Sequence, residues 1–194
     1  MSVDMDYRES ADRAGMARMS AGQLRDTFVI ADLFQAGALR LSYLEVERAV
    51  VGGAVPTTAP LTLSTHPELA SKFFCERREV GVINIGETGV VTLDGCRFEL
   101  TRHDCLYIGR GVQTVSFESG DPASPARFYF VSYPAHANHP SRRVRRDEAR
   151  VIVAGEALNA NRRVIRQAIR PGLVDSCQLV MGFTELEAGN VWNT

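Results

Sequence analysis

The sequence predicts an all-β fold, and three observations carry that expectation. Short runs with apolar–polar alternation recur at fairly even spacing: "ALRLSYLEVER", "VGVINIG", "GVVTLDG", "RFEL", "CLYIG", "TVSFES" and "ARFYFVSY". Period-two alternation of this kind marks strands with one buried face. Asp94-Gly95 lies between "VVTL" and "CRFEL", a strong signal for a two-residue hairpin turn. Helical patterns are short and few. Many short strands with turns at this spacing argue for a sandwich or a small barrel.

Taken in order, residues 1–27 read as a polar N-terminal arm with one short helix. Ser20 and Gln23 have the spacing of a capping box, and Leu24 and Phe28 follow at i, i+4. Strand-like text begins at Phe28 and runs to about residue 135. In "ALRLSYLEVER", Leu39, Leu41 and Tyr43 share one face, and Arg40 and Ser42 take the other. A polar, proline-bearing stretch, "PAHANHPSRRVRRDEAR", makes 136–160 a connector. Residues 161–194 return to strands in "NRRVIRQAI" and "DSCQLVMGFTEL". Two strand candidates cannot close a barrel, so this second unit is expected to be incomplete or to pack on the first. If it is incomplete, the shared apolar face of Leu179, Met181 and Phe183 is expected to be exposed and to invite pairing with another chain.

Composition narrows the function classes. With 194 residues, 45% hydrophobic, the chain can bury a real core, and a net charge of −1 gives no bulk pull toward nucleic acid or an anionic membrane. No apolar run approaches the ~20 residues of a membrane span. The opening "MSVDMDYRES" lacks the charged start and apolar core of a signal peptide. The four cysteines form no CxxC pair, which suits buried thiols in a reducing compartment, so a cytoplasmic location is expected. Lys72 is the only lysine, so an anion site here would use arginine, whose planar fork matches a carboxylate bidentately.

The segment from Lys72 to Ser116 has the order of a cupin barrel. In that pattern two His and a Glu come from one hairpin as HxHxxxxE, and a fourth His follows a "GDxxxxPxG" turn. Such side chains converge on a divalent transition metal inside the barrel. Glu79 falls at the Glu position, but Lys72 and Phe74 stand at the two His positions and Thr114 at the fourth. The expected fold is therefore an all-β, jelly-roll-like cupin barrel that holds no metal, followed by the opening strands of a second cupin.

Longer runs carry a closer likeness. "ERREVGVINIGETGVVTLDGCRFELTRHDCLYIGRG", "PARFYFVSYPAH", "NRRVIRQ" and "CQLVMGFTELEAGNVWNT" closely resemble the 4-deoxy-L-threo-5-hexosulose-uronate ketol-isomerase family, from about Leu24 to Thr194. The resemblance implies a two-cupin protein, a hexamer in the family, with a metal-free first cupin. In the second, zinc is bound by a His-x-His-x4-Glu run and a later His. In the family that run follows "WNT" within a few residues, whereas this sequence stops at Thr194. The expectation is that the chain is a fragment or a truncated product, holds no zinc and is inactive alone.

The implied reaction converts 5-dehydro-4-deoxy-D-glucuronate to 3-deoxy-D-glycero-2,5-hexodiulosonate. It would use metal stabilisation of an enediolate and a base that moves a proton between carbons. Two alternatives stand beside it: the related 5-deoxy-glucuronate isomerase of inositol breakdown, and a non-catalytic cupin for ligand binding or subunit assembly. The partners implied are a small keto-deoxyuronate and further copies of the chain, not nucleic acid or membrane.

Candidate site residues come from the last strands. In "NRRVIRQAIR", Arg163 shares the more apolar face with Ile165, Gln167 and Ile169, so it is the candidate clamp for the substrate carboxylate. Gln178 and Thr184 lie opposite Leu179, Met181 and Phe183 and could line a polar pocket, with Trp192 as its cover. The other polar groups have plainer readings. His136 and His139 read as a loop pair and His103 as a turn residue. Glu76, Arg77, Arg78 and Glu79 read as an ion-pair network, and the "RRVRR" run as a solvated connector or subunit contact.

Overall fold

The computed structural model describes residues 5–192. The first four residues of the expected arm, and Asn193 and Thr194 of the "WNT" run, lie outside the described residues. In chain order the elements are β1 (Met5–Arg8), α1 (Arg13–Met16), α2 (Ala21–Phe28), β2 (Leu39–Leu44), β3 (Ala49–Ala54), β4 (Leu61–Thr62), β5 (Arg78–Asn84) and β6 (Gly89–Leu93). There follow β7 (Cys96–Leu100), β8 (Cys105–Ile108), β9 (Val115–Ser119), β10 (Phe128–Pro134), β11 (Arg142–Val144), β12 (Arg150–Ala154), β13 (Arg163–Ile169) and β14 (Met181–Leu186).

Local chemistry sets several of these. The side chain of Ser20 accepts the N–H of Gln23, and the side chain of Gln23 accepts the N–H of Ser20, so α2 starts on the capping box that the sequence indicates. Asp94 and Gly95 join β6 to β7 with φ of 47° and 87°, the paired positive values that a type I′ turn requires.

Two sheets make the main body. One has the order β1-β2-β3-β10-β5-β8-β11 and the other β4-β9-β6-β7. From β3 to β10 the chain crosses between them so that β3, β10, β5 and β8 face β4, β9, β6 and β7. That is the strand arrangement of an eight-stranded jelly roll, the architecture of cupins. The core between the sheets holds Val80, Val82, Leu106, Ile108, Phe117, Phe128 and Phe130. Phe117 stacks on Phe130 with ring centroids 5.6 Å apart. Opposite Phe130 in the ladder stands Gly52, where any Cβ would run into the Phe130 ring.

The last strands form a separate sheet, β12-β13-β14. Its apolar side covers the outer face of the large sheet. Ala168, Ile169, Leu179 and Met181 pack there with Ile83, Cys105 and Tyr107, and Tyr129, Val131 and Tyr133 border them. The expectation of an exposed Leu179–Met181–Phe183 face is corrected: Leu179 is fully buried, Met181 is 8% exposed, and the Phe183 ring lies against His103 at 4.6 Å. Gly81 makes room for this packing, because a Cβ there would approach Leu179, Met181 and Ile169 to 2.7–3.1 Å.

Three further features depart from the sequence reading. β1 pairs in parallel with β2, in a stretch whose polarity suggested only an arm. The 136–160 stretch carries β11 and β12, and β11 extends the large sheet through β8. Of the four free cysteines, Cys75 and Cys105 are buried, but Cys96 is exposed on the small sheet's hairpin and Cys177 is half-buried. Among the described residues no helix is long and apolar enough to cross a membrane.

Candidate functional site

Strand alternation decides where Glu79 points. Val80 and Val82 fill the jelly-roll core, so Glu79, Gly81 and Ile83 face outward toward the third sheet. Glu79 is fully buried there. Its Oε2 accepts the Tyr107 hydroxyl at 2.8 Å and the Cys177 N–H at 2.8 Å, and its Oε1 accepts the N–H groups of Gln178 and Leu179, each at 2.9 Å. These four bonds satisfy the buried carboxylate without a counter-charge. They also fasten the 177–179 segment to β5.

The proposed alignment of Lys72, Phe74, Glu79 and Thr114 inside one barrel is thereby corrected. Phe74 is packed in the jelly-roll core, Lys72 is exposed, and Thr114 is exposed and bonded to Asp94. The ion-pair network expected at Glu76–Glu79 is corrected too. Glu76 accepts the Lys72 N–H, and Arg78 donates to the Ser132 hydroxyl, the Ser132 carbonyl and the Arg48 carbonyl. The signal that could have revealed Glu79 was a lone carboxylate in an otherwise apolar strand, since such a group persists only when buried donors meet it.

The third sheet separates the candidate clamp from the jelly roll. Arg163 pairs with Leu186 and Ile165 with Thr184 across β13 and β14, so these four side chains share a face. The opposite face carries Arg166, Phe183 and Glu185, and there Phe183 meets His103 of the jelly roll. Arg163 and Thr184 therefore point away from the jelly roll. The Arg163 guanidinium lies over the Trp192 ring, 4.9 Å from its centroid, and Nη1 donates to the Asn161 carbonyl at 3.0 Å. Nε is buried and has no hydrogen-bond partner among the described residues. An aromatic plate holds the cation without neutralising it. Arg163, Thr184 and Trp192 are thus brought to one side. Gln178 is not: its side chain donates to the Pro134 carbonyl at 2.8 Å, on the jelly roll.

Between the jelly roll and the third sheet lies an arginine-rich cleft of about 550 Å³. Two of its five arginines are ion-paired among the described residues. Arg166 and Arg146 both bind Glu185, at 2.7 and 2.6 Å, and Arg143 donates to the Glu99 carbonyl at 2.9 Å. The hydrogen bond from Arg166, and then that from Arg146, hold the Glu185 carboxyl below its ordinary range. His103, against the Phe183 ring, is pushed down by burial and then by the nearby Arg102. The "RRVRR" run is therefore partly a strand and partly the jelly-roll side of an internal ionic contact.

Among the described residues no group of three or more His, Cys, Asp or Glu side chains could hold a metal ion. Zinc, which the family resemblance implies, does not fit the described side chains, and no step is assigned to it. What the described geometry offers is anion recognition by arginine and a hydroxyl beside it.

Comparison with known proteins places this arrangement. The KduI/IolB family model matches residues 32–194. The chain belongs to the KduI/IolB family. A 4-deoxy-L-threo-5-hexosulose-uronate ketol-isomerase of Formosa agariphila is 44% identical over 194 residues, covering all of this chain and 69% of that protein. Proteins of the same name from Caldicellulosiruptor bescii and Escherichia coli SE11 are 41% and 39% identical over 98% of this chain, and the match again spans 69% of each. An IolB-like protein from Salmonella typhimurium LT2 aligns with a TM-score of 0.50 at 11% identity, over 66% of this chain and 47% of that one. It shows the fold alone.

Proposed function

We propose that this protein is an aldose–ketose isomerase acting on 4-deoxy-L-threo-5-hexosulose uronate. The observation that carries this reading is identity of 39–44% to relatives bearing that enzyme name along essentially the whole chain. The inositol-pathway alternative rests on shape at 11% identity and is not favoured.

In this reading Arg163 takes the substrate carboxylate. Its guanidinium is held by Trp192, and its free Nε–H supplies one arm of a charge-assisted pair. Thr184, the diagonal neighbour on β14, offers a hydroxyl to the sugar. The remaining parts of the proposal are a jelly-roll unit over 28–135 that holds no metal, a second unit from 161, assembly into a homo-oligomer, and work in the cytoplasm.

The test is incubation of the purified protein with 4-deoxy-L-threo-5-hexosulose uronate and, separately, with 5-deoxy-glucuronate, with the products separated by chromatography. Conversion of the first alone is expected, in contrast to the sequence-based expectation that the chain is inactive alone. Conversion of the second alone would overturn the reading. Binding of the first without conversion would make the chain a binding module.

A further inference from the structure

A buried arginine of the jelly roll, apart from the residues of the Arg163 face, lacks a counter-charge among the described residues. Arg78, at the start of β5, points inward with Val80 and Val82 and is only 6% exposed. A buried guanidinium normally finds a carboxylate. This one does not, for among the described residues Arg78 has no ion pair. Nε and Nη2 donate to neutral oxygens only, the Ser132 hydroxyl at 3.0 Å, the Ser132 carbonyl at 2.9 Å and the Arg48 carbonyl at 2.6 Å. Nη1 makes no hydrogen bond among the described residues. Burial lowers the Arg78 pKa to about 10.

The side chain opens on a cavity of about 240 Å³ whose polar lining includes Tyr43, Arg48, Glu68, Ser71 and Arg77. Three arginines face one glutamate. Two lining residues, Arg48 and Ala70, have backbone that side-chain-bearing residues rarely adopt, with φ of 49° and 46°, and Glu47 beside Arg48 has φ of 59°. The turn at Glu47–Arg48 is also the one whose carbonyl takes Arg78. Strain of this kind persists where the surroundings hold it, and it gathers at binding sites.

We propose that this cavity binds a small carboxylate, with the Arg78 and Arg77 guanidiniums on its oxygens and the Tyr43 and Ser71 hydroxyls available to the remainder. A carboxylate supplies the missing counter-charge to Arg78 through Nη1, the one guanidinium nitrogen with no hydrogen bond among the described residues. The volume suits a three- to six-carbon acid. The site uses none of the residues assigned to the isomerase reading, so either can stand without the other.

The experiment is a titration of isotope-labelled protein with D-galacturonate, followed by backbone amide NMR at constant ionic strength, with sodium chloride and inorganic phosphate as parallel arms. Saturable shifts at residues 43, 48, 68–71 and 77–78 are expected. They should weaken at least tenfold in affinity in Arg77→Ala and vanish in Arg78→Lys, which keeps the charge and loses the Nη1 donor. Arg163→Ala should leave them unchanged. Should Arg78→Lys fail to fold, Arg48→Ala, an exposed side chain, carries the same expectation as Arg77→Ala. The proposal is overturned if D-galacturonate gives no saturable shift at these residues, or if the shifts survive Arg77→Ala and Arg48→Ala together. Tighter binding of phosphate than of galacturonate would overturn the carboxylate assignment.

Discussion

The carboxylate of Glu79 accepts the backbone N–H of Cys177 at 2.8 Å, across 98 residues of chain. With the amides of Gln178 and Leu179 and the Tyr107 hydroxyl, it closes a four-donor cage around one buried acid. The cage joins the jelly roll to the third sheet.

Glu79→Ala should therefore cost about 3–5 kcal/mol, because four buried donors lose their acceptor together. Glu79→Gln keeps one acceptor oxygen and should cost less, and Tyr107→Phe should cost about 1.5–3 kcal/mol for a single bond to a charged group. Urea unfolding midpoints would measure all three. A neutral Glu79→Ala would show that the cage does not hold the sheets together.

Gly81→Ala should destabilise by about 1–3 kcal/mol, the usual cost of overpacking. The added methyl would stand 2.7 Å from Leu179 and 3.0 Å from Met181. The combination Gly81→Ala with Leu179→Ala should recover part of the loss, and calorimetry would reveal the coupling.

Acid should weaken the same interface at Glu185. Its folded pKa is lowered, first by the hydrogen bond from Arg166, so its contribution is present above the unfolded value of 4.5 and is lost as pH falls through the lower folded value. Stability measured from pH 5.5 downward should fall more steeply in the natural protein than in Glu185→Gln. Parallel profiles would mean that the Arg146–Glu185–Arg166 cluster adds nothing.

Much of the jelly roll was legible because its signals are local. Alternation put Leu41 in the core, Asp94-Gly95 set a hairpin, and Ser20 and Gln23 capped α2. The parts that escaped depend on distant partners. Glu79 looked like a relic of a metal site because its donors come from residues 177–179, far along the chain. Leu179 and Met181 looked exposed because the face that covers them belongs to β5, β8 and β10. β1 escaped because its partners in β2 are 36 residues on and parallel. Of the candidate site, alternation put Arg163 on the face of Ile165 and Thr184 opposite Phe183; that the two faces coincide comes only from the register of β13 on β14. Gln178 was misplaced because it precedes β14, where alternation no longer governs direction.

Arg163→Ala should weaken binding of the keto-deoxyuronate by roughly tenfold or more, the scale of a lost charged hydrogen bond. Trp192 is the only tryptophan and lies against this guanidinium, so its emission should change both on ligand binding and on the substitution. Emission that ignores the ligand would place the carboxylate elsewhere.

The most direct measurement is proton NMR of 4-deoxy-L-threo-5-hexosulose uronate incubated with the purified protein in deuterated water. The isomerase reading predicts loss of the aldose signals, growth of the ketose, and deuterium at the carbon that gains the transferred proton. An unchanged spectrum, or conversion of 5-deoxy-glucuronate in its place, would contradict it.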